Sequence, residues 1–331
     1  MIIRDDMVIS VAEDFELEEI VIPDGVKGIG PHAFMHARLR KIVIPDSVVY
    51  IYAEAFSNCE LLKEIVIPDS VMIIDHNAFE DCIGLEKVKL SKNLSTIDYC
   101  LFANCSSLKE IEIPPFVRVI RWSAFQCCNS LEKVTFSSDS SLKDIMNGAF
   151  ADCISLKEIE IPDDIKSIGV RAFDNCQSLA NVKLPKYLEY IGMEAFHCCY
   201  SLKSITIPAY VTDIGICAFC ACEELKEVHF IIYDRKAITF SLKRIGAGAF
   251  RSCEKLEEIE MPNSILRIDN EAFMNCKSLK TITIPSACRR IGKRAFMNCT
   301  SLKDVFIQIS FVKICKSAFR GCYKFNDITR V

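Results

Sequence analysis

Apolar residues return along this chain with a period of 23. The period is easiest to follow on a Phe that comes directly after Ala in all but one copy. The spacing between successive copies is 23 in nine cases, and it is 22, 25 and 31 in the other three. The repeated residues are Phe34, Phe56, Phe79, Phe102, Phe125, Phe150, Phe173, Phe196, Phe219, Phe250, Phe273, Phe296 and Phe319. A fixed period of about 20 to 50 residues predicts a repeat solenoid, in which each repeat packs only on its neighbours.

Each repeat predicts one short strand followed by a turn back to the core. In a representative copy, Leu108, Ile111 and Ile113 are separated by polar residues, which is typical of a half-buried strand. Pro114 lacks an amide donor and ends that strand. The stretch Val117-Arg-Val-Ile120 then predicts a tight turn or a short 3₁₀ segment. A repeat supplies about seven inward-facing apolar residues and cannot bury them alone.

The complete pattern, C-x-x-L-x-x-I-x-I-P-x-x-V-x-x-I-G-x-x-A-F-x-x-C, resembles the BspA-like branch of the leucine-rich repeats, also described as the Treponema pallidum type. The resemblance runs from about Leu17 to Thr329. It implies a right-handed superhelix with a parallel β-sheet on the concave face and short turns or 3₁₀ segments on the convex face. Family members are often surface proteins of bacteria and protists that bind host proteins or other cells. The resemblance therefore implies a protein–protein interaction module with an adhesin-like role.

We expect one elongated domain. Residues 1–16 should form an N-terminal cap, and residues 17–331 a single solenoid of about thirteen 23-residue repeats with a partial C-terminal repeat. The first full repeat carries Met35-His36-Ala37-Arg38 in place of its Cys, as terminal repeats often do. The last residues, from Phe325 to Val331, begin a further strand. That strand either caps the solenoid or pairs with a second chain, so we expect a monomer or an edge-paired dimer.

Composition and charge narrow the class of partner. Hydrophobic residues make up 50% of the 331 residues, which is enough for a continuous core. The net charge is -4, with Lys and Glu interspersed, so the sequence does not predict a nucleic-acid partner. No apolar run is long enough for a membrane span. Arg4, Asp5 and Asp6 interrupt the apolar run that a signal peptide would need, so the chain as given predicts a cytoplasmic protein. A cell-surface or secreted protein is the alternative if a signal peptide was removed.

Most of the nineteen cysteines occupy one position of the repeat. Twelve of them follow the repeat Phe by three residues and form what we call the cysteine file. Its members are Cys59, Cys82, Cys105, Cys128, Cys153, Cys176, Cys199, Cys222, Cys253, Cys276, Cys299 and Cys322. Buried Cys behaves as a small hydrophobe with a weak S–H donor, so we expect free thiols and a reducing environment. Disulfides are the alternative, because stacking brings Cα atoms into the range of about 4.4 to 6.8 Å that a disulfide tolerates.

The outward positions of the strands form two rows. One row alternates in charge and should hold adjacent strands in register: Glu19, Lys41, Glu64, Lys87, Glu110, Lys133 and Glu158. The second row begins with Val21, Val43 and Val66 and later includes Thr206, His229, Glu260, Thr283 and Phe306. Its valines, with His229 and Phe306, are candidates for contacting a protein partner. The alternative is that valine simply suits a strand.

Two insertions interrupt the period at the same rim. Two extra residues follow Phe136 and eight follow Phe230. Insertions on one rim are often binding loops, and the alternative is neutral growth of a tolerant turn. In the second insertion Tyr233, Arg235 and Phe240 are candidate binding residues.

The densest cysteine region could carry chemistry. Because His197 and Cys220 occupy equivalent positions in adjacent repeats, we expect them to be neighbours. One alternative is a zinc site made of His197, Cys198, Cys217 and Cys220. Another is a redox-sensing thiol at Cys198 or Cys220. Elsewhere no His aligns with both a nucleophile and an acid, and no Gly-rich phosphate loop is present. We therefore expect no enzymatic activity and no cofactor, and a purely structural spacer remains a further alternative.

Overall fold

The computed structural model describes residues 1–10, 17–231, 240–307, 312–324 and 327–330. Its secondary structure consists of strands and turns, and these residues include no helix that could span a membrane. The chain divides into two compact units, Met1–Pro162 and Asp163–Val331, which are described separately.

The first unit contains fifteen strands within its described residues. They are β1 (Ile2–Arg4), β2 (Met7–Ser10), β3 (Leu17–Val21), β4 (Gly28–Ile29), β5 (Leu39–Val43), β6 (Tyr50–Ile51), β7 (Glu64–Val66), β8 (Ile73–Ile74), β9 (Lys87–Lys89), β10 (Thr96–Ile97), β11 (Glu110–Ile113), β12 (Val119–Ile120), β13 (Lys133–Phe136), β14 (Asp144–Ile145) and β15 (Glu158–Glu160). From β3 onward, longer odd-numbered strands alternate with even-numbered strands of two residues. The odd strands form the sheets β3-β5-β7-β9 and β11-β13-β15, and the even strands form β2-β4-β6-β8 and β10-β12-β14. The antiparallel hairpin β1–β2 joins the even sheet through the parallel pair β2–β4.

The second unit repeats the same plan with fourteen strands in its described part. They are β16 (Ser167–Ile168), β17 (Asn181–Lys183), β18 (Tyr190–Ile191), β19 (Ser204–Pro208), β20 (Asp213–Ile214), β21 (Glu227–Ile231), β22 (Arg244–Ile245), β23 (Glu258–Ile259), β24 (Arg267–Ile268), β25 (Thr281–Ile284), β26 (Arg290–Ile291), β27 (Asp304–Ile307), β28 (Lys313–Ile314) and β29 (Asp327–Arg330). All seven even strands form one sheet in chain order. The odd strands form the sheets β19-β21-β23 and β25-β27-β29.

Strand pairing follows the period of the sequence. Glu110 of β11 lies opposite Lys133 of β13, which is one period further on. The sequence separation of paired residues is longer between Val119 and Asp144, and again between Asp213 and Arg244, because the insertions lie there. The strands on either side of each insertion still pair. These pairs are parallel, and the predicted parallel β-solenoid is confirmed in each unit.

One segment differs from the expected turn or 3₁₀ conformation. Val119 and Ile120 form the two-residue strand β12, which pairs in parallel with β10 and β14. Backbone N–H and C=O groups must find partners when they are buried, and at this corner the adjacent repeats supply them. Each repeat therefore contributes two strands, and the tight turn follows the second.

The repeat Phe side chains stack along the core of each unit. Neighbouring rings lie 4.9 to 5.5 Å apart between centroids and within 12° of parallel. Twelve of the thirteen, from Phe34 to Phe296, are fully buried. Offset aromatic pairs contribute about 0.5–1.5 kcal/mol each beyond their buried area, so the stack reinforces the repeat spacing.

The cysteine file runs beside the Phe stack. All nineteen cysteines lie in the described part and are free thiols, as predicted. In most file members the S–H donates to the carbonyl oxygen of the Phe one repeat earlier, for example from Cys128 to Phe102 at 3.2 Å and from Cys199 to Phe173 at 3.3 Å. Burial raises the pKa of file thiols such as Cys105 and Cys222. The file cysteines are therefore neutral packing groups.

Candidate functional site

The outward face of the odd strands in the first unit carries the predicted charge row. Glu19 lies opposite Lys41 and Lys41 opposite Glu64, and the alternation continues to Lys87. The Lys41 ammonium is 3.2 Å from the Glu19 carboxylate, and both side chains are exposed. The same pairing recurs from Glu110 through Lys133 to Glu158.

A second alternating row, which the sequence analysis missed, lies directly before the first residue of each odd strand from β7 to β15. Glu86 sits between Lys63 at 3.5 Å and Lys109 at 3.6 Å. Glu132 pairs with Lys157 at 2.5 Å, and that hydrogen bond lowers the pKa of Glu132. The same register argument applied one position earlier would have found this row. Exposed ion pairs are screened by salt, so we assign these two rows to strand register.

The predicted valine row interrupts this charged face. Val21 lies directly opposite Val43 in the pairing of β3 with β5, and Val66 occupies the same position on β7. The three side chains are 61%, 39% and 55% exposed, respectively. Lys89 follows as the partner of Val66 and ends the row. We call these three residues the valine strip. It is an exposed apolar strip bordered by charged side chains.

The other predicted binding residues lie in the second unit, and His229 and Phe306 belong to different sheets of it. His229 projects from β21, where its Nε2 atom is 3.0 Å from the Glu227 carboxylate. Phe306 belongs to the separate sheet of β27 and is half-buried. Phe240 is also half-buried, because its ring packs edge-on against Phe230 with centroids 6.3 Å apart. The candidates Tyr233 and Arg235 lie outside the described residues.

A row of four side chains in the second unit places one cysteine between two cationic side chains. Asp174, His197, Cys220 and Arg251 occupy the same position in four successive repeats. The Asp174 carboxylate lies 2.8 Å from His197 Nδ1, and the Arg251 Nε donates to the Cys220 sulfur at 3.4 Å. Hydrogen bonds with Asp174 and Cys220 raise the pKa of His197 to about 10. The predicted proximity of His197 to Cys220 is thus confirmed, and we call these four residues the thiol row.

Two further cysteines lie beside the thiol row. The Cys217 thiol hydrogen-bonds to Cys220, which raises the pKa of Cys217 and lowers that of Cys220. The Cys198 sulfur is 3.4 Å from His197 Nε2. A hydrogen bond with Cys198 also raises the pKa of Tyr200 to about 12.

The structure gives no support to the zinc alternative for His197, Cys198, Cys217 and Cys220, which stays a hypothesis. No three His, Cys, Asp or Glu side chains in this part of the chain are arranged to hold a metal ion. The physical reason lies in the imidazole. Its two nitrogens face a carboxylate and the sulfurs, and the protonated ring has no lone pair left for a metal.

Arg251 is the member of the thiol row that sequence reasoning missed. It lies further than one period beyond Cys220 in the sequence, because the long insertion comes between them. Carrying the repeat register across the insertion would have placed the two residues side by side. The repeat spacing therefore predicts the contact between Arg251 and Cys220 once the length of the insertion is subtracted.

Comparison with known proteins gives the following matches. A family model described as the BspA type leucine rich repeat region, in six copies, matches residues 27–157, 143–235 and 234–330. A leucine-rich repeat protein from Bacteroides ovatus is 30% identical, with a TM-score of 0.74, over 95% of this chain and 84% of that one. A leucine rich cell surface protein from Faecalibacterium prausnitzii is 26% identical, with a TM-score of 0.60, over 99% and 92%. The pneumococcal vaccine antigen PcpA, 21% identical over 98% and 80%, with a TM-score of 0.54, shares the fold. Comparison with curated proteins found no match.

Proposed function

We propose a protein-binding function for this chain, since it belongs to the BspA type leucine-rich repeat family and leucine-rich repeat proteins are generally protein-interaction modules. The family is also generally non-enzymatic, which agrees with the expected lack of catalysis. Stacked repeats present long regular surfaces, and this geometry suits recognition of another macromolecule.

The valine strip is the observation that carries the proposed binding surface. Val21, Val43 and Val66 are exposed on three neighbouring strands, whereas the adjacent rows of the same face are charged. Protein interfaces typically combine an apolar centre with a polar rim. In our proposal the strip is that centre, and the two charge rows provide the rim.

A second contact surface in the proposal is the rim that carries the longer insertion. Residues 231–238 begin with the last residue of β21, extend the connection after it and include Tyr233 and Arg235. Deleting these eight residues removes only the pair of Pro208 with Ile231, so it should leave the fold intact because β21 and β22 keep their other pairs. Weaker capture of a partner would support a role for the rim, and unchanged capture would contradict it.

An adhesin-like role is the narrower form of this proposal. It is supported by the F. prausnitzii protein, which is described as a cell surface protein and is similar along nearly the whole chain. Binding of the purified protein to intact cells, compared with binding to proteins of the same cells after lysis, would separate an adhesin from a binder of internal proteins.

The test replaces the valines of the strip by Lys, as Val21→Lys, Val43→Lys and Val66→Lys together. A matched control changes the same row beyond the strip, as Lys89→Gln and Glu112→Gln. Loss of an apolar interface centre costs on the order of 2 kcal/mol, so we expect capture of a protein partner to weaken about 30-fold in the Lys variant alone. Isothermal calorimetry with the captured partner measures the change, and circular dichroism checks the fold. Equal affinity in native protein and Lys variant would overturn the assignment.

A further inference from the structure

The thiol row continues the charge alternation seen elsewhere in the molecule, with a thiol in the place of an acid. Asp174, His197, Cys220 and Arg251 follow one another in adjacent repeats, so that cationic side chains lie on both sides of Cys220. On adjacent parallel strands the charge rows place Glu between Lys residues. By the same electrostatics, the pair of cations favours an anionic sulfur.

The donors around Cys220 act together on its sulfur. The Cys217 thiol, the His197 imidazolium and the Arg251 guanidinium each hydrogen-bond to it, and together they lower the pKa of Cys220 to about 4 despite its burial. Asp174 keeps His197 protonated, and Glu271 accepts a hydrogen bond from Arg251 at 3.4 Å. Glu194 and Cys198 also face this cluster, Tyr200 hydrogen-bonds to Cys198, and the file thiols Cys222 and Cys253 lie close enough to interact with Cys220.

Cys217 is placed to form a disulfide with Cys220. The backbone N–H of Cys220 donates to the Cys217 carbonyl at 3.1 Å, which closes a four-residue turn. The Cα atoms at the ends of such a turn lie within about 7 Å, close to the range of about 4.4 to 6.8 Å that disulfides span. A disulfide between these residues therefore needs little backbone movement.

We propose that Cys220 is a nucleophilic thiolate that reduces small hydroperoxides, and that Cys217 resolves the oxidised sulfur as a disulfide. Cys220 is only 3% exposed, so the co-reactant must be a small molecule such as hydrogen peroxide. The site is a modification site, separate from the proposed protein-binding surface.

The chemistry balances in two steps. In the first, the Cys220 thiolate attacks one peroxide oxygen and the O–O bond breaks. The leaving hydroxide takes a proton from solvent, the peroxide gains two electrons, and Cys220 becomes a sulfenic acid. In the second, the Cys217 sulfur attacks the Cys220 sulfur, the S–O bond breaks, and hydroxide leaves with the Cys217 proton as water. The two thiols have then lost the two electrons that the peroxide gained.

The chain contains matched cysteines that lack the cations. Cys100 occupies the repeat position of Cys217, and Cys127 that of Cys198. Burial and the neighbouring Glu80 raise the pKa of Cys100, and burial and Asp152 raise that of Cys127. These partly exposed thiols should remain protonated at neutral pH. They therefore serve as internal controls, because solvent reaches them but no cation favours their thiolate form.

The experiment oxidises the full-length, fully reduced protein with hydrogen peroxide at pH 6. After quenching with N-ethylmaleimide, peptide mass spectrometry follows each cysteine. A thiolate reacts faster than a thiol, although a low pKa also makes it a weaker nucleophile, so we expect Cys220 to react about tenfold or more faster than Cys100 or Cys127. The expected product is a Cys217–Cys220 disulfide. A Cys220 that reacts no faster than the two controls would overturn the proposal.

Three variants test the individual roles. Cys217→Ser should leave Cys220 as a sulfenic acid that dimedone traps, whereas dimedone labelling equal to that of native protein would contradict a resolving role. Arg251→Met should slow the reaction of Cys220 about tenfold at pH 6, and Arg251→Lys, which keeps the cation, should restore most of the rate. Circular dichroism on each variant shows whether it is folded. Equal rates in the folded Met and Lys variants would exclude activation by charge.

Discussion

The chemistry of a cysteine in this molecule depends on which side chains the adjacent repeats place beside it. A file cysteine such as Cys105 has apolar neighbours and a carbonyl acceptor, and burial raises its pKa. Cys220 is also buried, yet its neighbours are His197 and Arg251. Because the backbone repeats, the side chains of the adjacent repeats decide whether a buried thiol stays neutral or is favoured as an anion.

The bond between Asp174 and His197 predicts a pH-dependent contribution to stability. The pKa of His197 is raised to about 10, chiefly by Asp174, so the imidazolium stabilises the folded state fully below its unfolded pKa of about 6.5. This contribution should fall as pH rises and vanish above about pH 10. The stability difference between native protein and His197→Gln, measured by urea unfolding from about pH 5.5 to 10.5, should follow that course. A difference that grows with pH would contradict it.

The two-residue strands show how closely the repeats approach one another. After β18, Gly192 donates its N–H to the Ile168 carbonyl at 2.9 Å, and Gly215 makes the same bond to Ile191 at 3.0 Å. A Cβ atom on Gly192 would lie 2.6 Å from the carbonyl carbon and oxygen of Gly169. Later repeats of the first unit carry side chains at this position, as at Asp75, so the requirement for glycine arises from the local backbone approach.

Gly192→Ala should therefore destabilise the protein by about 1–3 kcal/mol, because the new methyl group forces two backbones apart. Gly148→Asn is the matched control. Gly148 has a φ of 63°, and a Cβ there would meet its nearest atom at 3.4 Å. Asn tolerates this left-handed conformation, as Asn77 does at the same repeat position, so the control should unfold near the native midpoint. Similar urea midpoints for Gly192→Ala and native protein would refute the clash.

The sequence predicted most of the fold because its period reports burial directly. The positions of Phe125 and Cys128 in the repeat identified the stacked core, and Val21 was correctly placed on the outward face. The strand at Val119 was missed, since two residues are too few to show alternation. Of the thiol row, the sequence predicted only that His197 lies beside Cys220. The contact of Cys220 with Arg251 was missed, because it requires side-chain geometry and a repeat register carried across an insertion.

Each unit gains its stability repeat by repeat. Every pairing described within the solenoid joins neighbouring repeats, so stability should approach a sum of repeat and interface contributions. A deletion that respects the period can rejoin equivalent residues. Leu85, Leu108 and Leu131 are equivalent in this sense, and all three are fully buried.

Deleting residues 86–108 should leave a folded protein whose stability rises with salt. The deletion places Lys63 beside Lys109 and Glu64 beside Glu110, and each like-charged pair costs about 0.2–1 kcal/mol until salt screens it. Deleting residues 86–131 restores opposite charges, with Lys63 beside Glu132, and should remove the additional salt dependence. Thermal melts at low and high salt measure both variants.

The out-of-phase deletion of residues 86–97 is the control for this pair. It breaks the repeat register and should abolish cooperative unfolding. Equal salt dependence in the two in-phase deletions would show that the charge rows do not govern repeat order.

The buried cysteine file also determines whether unfolding of this protein is reversible. In the folded state the file thiols are buried, so dissolved oxygen has little access to them. Burial also keeps thiols such as Cys105 neutral. Once a unit unfolds, its thiols are exposed to oxidation at the same time. They can then form many different disulfide pairings, none of which is present in the all-reduced native state. Heat inactivation without a reductant should therefore be a one-way process with a half-life set by the rate of unfolding, whereas the same protein kept reduced should recover on cooling.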